Sequence, residues 1–139
     1  MSSAEDFNQQ VISEFRANGG VVGGPFAGAA MILLTHTGAK SGIQRTTPLV
    51  CSRDGDDVIV VASMGGAPTN PQWYHNMIAN PLVTVELGTE TFQAKVIEAP
   101  GAERDRLFAA QATIMPNFDE YQAKTSRVIP VLILRRIEA

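Results

Sequence analysis

The sequence predicts a mainly β fold of the α+β class, a small antiparallel barrel with an N-terminal helix and further helices flanking it. Three observations predict it. Short β-rich segments recur between turns built from Gly, Pro, Asn and Asp. Helical patterns are interleaved with them, but not in the strand–helix–strand alternation of a parallel sheet. The 139 residues contain no repeat, linker or low-complexity stretch, and that length fits one domain. Within it, residues 1–24 read as a helix and glycine-rich lead-in, and residues 25–139 as the barrel.

Each element has a local reason. Residues 3–17 read as a helix because Phe7, Val11, Ile12 and Phe15 share one face and Ser2 and Ser3 precede Glu5 and Asp6 at capping spacing. Gly19 and Gly20 stop it. Met31–Thr37 is β-rich and runs into Gly38-Ala39-Lys40-Ser41-Gly42, a turn with a glycine at each end. Gln44–Ser52 returns as its hairpin partner, and Pro48 inside it predicts an edge strand or a bulge. After the turn Arg53–Asp57, Val58–Ser63 is apolar throughout, as in a strand buried on both faces. Asn70 is placed to cap a helix that opens at Pro71 and runs to Ala79, before Pro81. Leu82–Leu87 and Thr91–Ala99 alternate about Gly88 as a second hairpin. Residues 101–114 read as a helix with Leu107, Phe108 and Ala112 inward, Pro116–Lys124 as a short aromatic-bearing segment, and Pro130–Ile137 as the last strand.

Composition excludes several functions. With 11 basic and 14 acidic residues the chain carries a net charge of −3, against the basic excess of a general nucleic-acid binder. One Cys and two His cannot build a Cys-rich zinc site or an internal disulfide. No apolar run approaches the ~20 residues of a membrane span, and the first fifteen residues lack a signal-peptide pattern. A cytoplasmic protein is expected, with peripheral membrane contact by the first helix as a further option. The charge is unevenly spread. No acid falls between Glu14 and Asp54, where Arg16, Lys40, Arg45 and Arg53 lie, and Val58–Val85 contains no Asp, Glu, Lys or Arg. A surface holding Lys40 and Arg45 would be locally positive on an acidic protein.

That stretch is where chemistry concentrates. Lys40-Ser41 after a glycine suggests a phosphate loop, but Gly and Lys are not adjacent and a strand follows, so a nucleoside-triphosphate site is rejected. The ingredients of a simpler anion site remain: turn N–H groups, Lys40 as a point charge and Arg45 as a fork. The alternative is an ordinary solvated turn. Ser63-Met64-Gly65-Gly66 leaves a core strand where paired glycines admit a close backbone or a flat ring. Trp73-Tyr74-His75-Asn76 holds the single Trp, either a core anchor or a pocket wall. His75, His36 and Cys51 match no metal-ligand spacing, and no nucleophile elbow is present.

Two of these blocks resemble the deazaflavin-dependent nitroreductase family. Leu34-Thr35-His36-Thr37-Gly38-Ala39-Lys40-Ser41-Gly42 with Arg45 and Pro48-Leu49 is similar to its L-T-T-x-G-[RK]-K-[ST]-G-x-x-R-x-x-P-L block. Val60–Gly66, Pro71–Asn76 and Ala79-Asn80-Pro81 follow its V-A-S-x-G-G and P-x-W-Y-x-N patterns, and Arg127-Val128-Ile129-Pro130-Val131 its last strand. The resemblance covers about residues 25–136 and implies a split β-barrel of the flavin-binding type that binds coenzyme F420. It implies that the phosphate and acidic tail lie on Ala39, Lys40, Ser41 and Arg45. It places the ring against Val61, Ala62, Ser63 and Met64 and against Gln72, Trp73, Tyr74, His75 and Asn76.

The implied reaction is hydride transfer from the reduced deazaflavin to a small flat acceptor. The cofactor carries the chemistry and the protein positions it. Phe118 is a candidate wall for ring or acceptor. Tyr121 is a candidate proton donor, with a structural tyrosine as the alternative. Ala39 and Met64 stand where relatives carry basic residues, which keeps flavin mononucleotide open as the cofactor. Met115 and Phe118 stand where nitroimidazole reducers have tyrosines, so a quinone suits the pocket better than a nitroaromatic. A non-catalytic coenzyme carrier is the third reading, and a homodimer is an open option.

Overall fold

The computed structural model describes residues 3–23, 30–63 and 66–137, with the side chains of the first helix from Phe7 onward. Among these residues four helices, α1 (Ser3–Ala17), α2 (Gln72–Ala79), α3 (Gly101–Ile114) and α4 (Asn117–Ala123), surround seven strands. The strands are β1 (Met31–Thr37), β2 (Gln44–Val50), β3 (Ser52–Asp54), β4 (Asp57–Val61), β5 (Leu82–Leu87), β6 (Glu90–Glu98) and β7 (Val131–Arg136). They form one antiparallel sheet in the order β2-β1-β5-β6-β7-β4-β3, curled into a half-barrel. No described helix is long and apolar enough to cross a membrane.

Period-two alternation builds the sheet's two faces. Ile32, Leu34, Val58, Val60, Val83, Val85, Ala94, Val96, Leu132 and Leu134 point into the barrel and are buried together. Their neighbours Ile59, Val61, Val131 and Ile133 point outward, under Leu107, Phe108, Ala112 and Phe118 of α3 and α4. The uniformly apolar run Val58–Val61 is therefore covered on both faces, as expected from its composition. On the other flank α1 lays Val11, Ile12 and Phe15 on Met31 and Leu33. Phe7, counted on the same face, is 40% exposed near the start of the helix.

Three expectations need correction. The strand expected over Gln44–Ser52 breaks at Cys51, whose N–H bonds Ala30 instead of a sheet neighbour. β2 and β3 are adjacent in sequence yet lie at opposite ends of the sheet, so this bend carries the chain across the mouth of the half-barrel. The Cys51 thiol points into the core, and burial pushes it up to about 11. Next, Asn70 does not cap α2. Its side-chain oxygen accepts from Arg127 at 2.7 Å, and Pro71 occupies the cap position without a side-chain bond. Finally, Asn117–Ala123 is a helix. It is docked by Arg104, whose guanidinium donates to the Ile129 carbonyl at 2.9 Å and the Gln122 side chain at 2.7 Å. Pro48 lies in β2, a terminal strand, where its missing N–H costs no ladder bond on the open side.

Candidate functional site

The hairpin β1–β2 and the helix α2 meet at one end of the barrel. The hairpin turn closes on itself through Gly38 N–H to the Ile43 carbonyl at 2.9 Å and Gly42 N–H to the Gly38 carbonyl at 3.1 Å. Ser41 Oγ folds back into the turn, accepting from Ile43 N–H at 3.2 Å. A Cβ at Gly38 would collide with that hydroxyl, which is why a glycine stands there. Gly42 has φ of 71°, the left-handed region that glycine occupies without strain. Turn chemistry therefore dictates the shape, and Lys40 is left projecting at its tip, exposed.

Asn76 fastens this turn to α2. It is 2% exposed, and its Oδ1 accepts from Ala39 N–H at 3.0 Å and from Gln72 Nε2 at 3.1 Å. With the oxygen occupied by two donors, Nδ2 must face His36 Nδ1 at 3.1 Å. His36 Nδ1 is thus an acceptor, and the ring proton sits on Nε2, donating to Thr47 Oγ1 at 2.9 Å. Asn80 adds a second clasp, donating to the Thr37 carbonyl at 3.3 Å. Burial, and then the positive charge of Arg45, hold His36 below the ordinary imidazole value of 6.5.

This neutral histidine yields a pH prediction. Above pH 6.5 it is uncharged in both folded and unfolded chains, and its contribution is complete. As pH falls from 6.5 towards its lowered folded value, the unfolded chain takes up a proton that the folded chain refuses, and stability is lost. Wild-type protein should therefore lose more melting temperature between pH 7 and 5 than His36→Gln. Equal losses in the two proteins would remove His36 from the account.

A cavity of about 700 Å3 opens between turn and helix, lined by Asn8, His36, Gly38, Ala39, Lys40, Ser41, Arg45, Thr47, Gln72, Trp73 and Asn76. Seven of the residues expected from the sequence are thus brought together: Ala39, Lys40, Ser41, Arg45, Gln72, Trp73 and Asn76. Neither Lys40 nor Arg45 has an ion-pair partner among the described residues. Their charge is available to an anion.

Of the other expected residues, none that is described lines this cavity. Tyr74 turns to β6, donating to Glu98 Oε1 at 2.9 Å. Burial first, then that bond and the Glu98 charge, push its phenol up to about 12. His75 is exposed, edge-on to Tyr74 at 5.3 Å. Val61, Ala62 and Ser63 are buried at the end of β4. Met64 lies outside the described residues. Phe118 is buried beneath α4 and meets Tyr121 edge-on at 5.4 Å. Tyr121 Oη accepts from Asn117 Nδ2 at 2.7 Å. Gly66 joins α4 to this end of the barrel: a Cβ there would sit 2.6 Å from the Tyr121 carbonyl, and its φ is 84°.

Two residues were not foreseen in their roles. Arg127 reaches back under the segment 62–70. It donates to the carbonyls of Ala67 at 2.8 Å, Ala62 at 3.2 Å and Ser63 at 2.7 Å, and to Asn70 Oδ1. Burial lowers its pKa, and among the described residues its side-chain partners include no carboxylate. His36 is the other: the sequence offers it only as a rejected metal ligand and as a member of the block before the turn. Arg127 did stand in a recognisable block before β7, the one signal for it.

A family model described as F420H(2)-dependent quinone reductase matches residues 8–136, nearly the whole chain. The chain belongs to that family. Among members of the F420H(2)-dependent quinone reductase family, one from Mycobacterium tuberculosis is 41% identical over 126 residues, 88% of this chain and 85% of that one. Another from the same organism is 39% identical over 104 residues, 75% of this chain and 87% of its own length. The solved F420-H2 dependent reductase FDR-A superposes with a TM-score of 0.71 at 39% identity, covering 76% of this chain and 94% of that one. The split-barrel fold expected for the family is the fold observed. A structure described as a domain-swapped dimer superposes with a TM-score of 0.73 at 34% identity, covering 96% of this chain and 100% of its own. The haem storage protein HutZ from Vibrio cholerae, 13% identical with a TM-score of 0.60, shares the fold alone.

Proposed function

We propose that this chain reduces a small flat acceptor, a quinone before a nitroaromatic, with reduced coenzyme F420 as donor. One observation carries the reading: two cations that have no ion-pair partner among the described residues and the Gln72–Asn76 turn of α2 line one cavity, in a chain whose family is named for that coenzyme. The residues fit the group. A cavity of about 700 Å3 is within the ~300–1,000 Å3 of typical small-molecule sites. Trp73 offers a flat wall, and the clasp by Asn76 fixes the turn before a ligand arrives.

In this reading Lys40 and Arg45 hold the phosphate and the Ser41 hydroxyl donates to it, its oxygen being already occupied by Ile43 N–H. The chain from Val61 to Met64 and the first turns of α2 hold the ring. When bound, the coenzyme supplies the hydride, and the protein contributes position and electrostatics. Arg127 stiffens the segment after β4 from beneath. Phe118, with Met115 packed on the same cluster, gives the acceptor an apolar wall. Tyr121 is the proposed proton donor, because its oxygen accepts from Asn117 and its own proton remains free to point elsewhere. A homodimer belongs to the same proposal, supported by the 34% identical structure described as a domain-swapped dimer.

Titration of the purified protein with F420 and with flavin mononucleotide, followed by oxidation of the reduced coenzyme with a quinone panel, tests this. Micromolar F420 binding and quinone-dependent oxidation are expected. Tighter binding of the flavin would transfer the site to that cofactor, and binding without turnover would leave a carrier. Lys40→Ala and Arg45→Ala should each weaken F420 binding by ~1.5–3 kcal/mol, the worth of a charged hydrogen bond to phosphate. Both side chains are exposed, so melting temperatures should hardly move. Unchanged affinity in both would return them to the status of surface charges.

A further inference from the structure

α3 buries a polar group that the rest of the chain does not serve. Gln111 is 1% exposed, and neither its Oε1 nor its Nε2 has a hydrogen-bond partner. Among the described residues no other buried side chain is left in this state. Buried polar atoms are bonded in the great majority of cases, because leaving them unpaired destabilises the fold. An apolar side chain of the same length would pack there without that penalty. Departures of this kind concentrate where a protein binds something.

Helical spacing says what it is near. Leu107 and Phe108 lie one turn before Gln111 and Met115 one turn after it, on the same face. The Met115 N–H donates to the Gln111 carbonyl at 2.8 Å, so that spacing holds to the end of the helix. Leu107, Phe108 and Phe118 are buried together, with Met115 and Tyr121 packed against them. This is the apolar wall proposed above for the acceptor. Of these side chains only Gln111 and Tyr121 can donate a hydrogen bond.

We infer that Gln111 is a binding residue for the acceptor, its Nε2 donating to a carbonyl oxygen of a quinone that rests on the wall of Met115 and Phe118. The inference rests on the proposed function and deepens it by naming the group that selects a carbonyl-bearing acceptor from flat apolar molecules in general. A carboxamide suits both ends of the reaction. Addition of one hydride and one proton turns a quinone carbonyl into a hydroxyl, and Oε1 can accept from that hydroxyl. The acceptor enters beside the first turn of α4, which is the loosely held end of that helix. Its cap residue Pro116 makes no side-chain bond, and the Asn117 side chain bonds Tyr121 within the helix. The other end is fixed, with Gln122 Oε1 accepting from Arg104 at 2.7 Å and from Ile129 N–H at 3.1 Å.

Gln111→Met tests this, since it removes the carboxamide at nearly constant length and helix propensity. The variant should melt about 3 °C higher than wild type, because an unpaired polar group leaves the core. With reduced F420 saturating, its KM for 2-methyl-1,4-naphthoquinone should rise about 5-fold, the worth of one hydrogen bond to a neutral group. F420 affinity should stay within about twofold. A second measurement needs no turnover. In wild type with oxidised F420, the Gln111 side-chain amide signals, identified by their loss in the variant's nitrogen-15 NMR spectrum, should shift as the quinone is added. A variant no more stable than wild type would mean that the carboxamide has partners within the fold. An unchanged KM, or amide signals that do not move, would mean that a buried water serves it. Each of these overturns the contact and leaves the proposed function intact. Wild type that reduces no quinone would overturn the proposed function, and the contact with it.

Discussion

Arg127→Ala is expected to lower the melting temperature by roughly 10 °C and to weaken F420 binding at least ~10-fold. The guanidinium makes four hydrogen bonds to the segment between β4 and α2, three of them to main-chain carbonyls. Bonds to a charged donor are worth about 1.5–3 kcal/mol each, and water can replace part of them at this half-buried position. A net loss of about 3 kcal/mol is therefore expected, which corresponds to roughly 10 °C in a domain of this size. The binding effect has a separate origin. Ala62 and Ser63 carry the backbone proposed to meet the ring, and without the fork their carbonyls lose a common anchor. Arg127→Lys keeps the charge but replaces a planar fork by a point donor, so it should fall between wild type and Ala in both readouts. Thermal melts and F420 titrations on the three proteins check this. Melting within ~2 °C and affinity within about twofold of wild type would show that the segment holds its shape without Arg127.

Asn76→Ala should have an effect of similar size through the other clasp. It strands Ala39 N–H, the Gln72 amide and His36 Nδ1 at a position that is 2% exposed. Of the three, His36 is buried while Ala39 and Gln72 are exposed residues that water can reach, so the cost of one stranded buried group, about 1–3 kcal/mol, is expected. Freed from α2, the turn bearing Lys40 no longer presents its cations in one arrangement, and F420 affinity should fall at least ~10-fold. Asn76→Asp separates the two contributions. A carboxylate still accepts from Ala39 and Gln72, but it presents an acceptor to the acceptor nitrogen of His36. His36 must then bind a proton, and its pKa should rise instead of lying below 6.5. An NMR titration of His36 reads this directly. An unchanged, lowered pKa in Asn76→Asp would mean that Asn76 does not determine the histidine's protonation.

Much of the fold follows from short-range pattern. β1 and β5 and helices α1 and α3 begin and end where alternation, capping and glycines place them, because each is decided by neighbours within a turn or a pleat. The errors share a cause. Cys51 breaks β2 because the chain must reach the opposite end of the sheet, and Asn70 gives up its cap because Arg127, 57 residues away, competes for its oxygen. Pro116–Lys124 read only as an aromatic-bearing segment, and its helix is docked by Arg104 and by contact with Gly66.

The candidate site divides along the same line. The sequence alone determined its chemical inventory: an acid-free stretch, a glycine-closed turn with Lys40 and Arg45, and a Trp–Asn helix turn, in an order that marks the family. These are properties of residue type and local spacing, and folding does not alter them. Only the tertiary structure decided that Asn76 reads the state of His36, that Arg127 rather than a helix cap holds the segment after β4, and that α1 lends Asn8 to the wall of the site cavity. Each joins groups 37 to 65 residues apart, or two separate elements. At such separations a hydrogen bond depends on where the sheet brings the chain back, and no local periodicity encodes that.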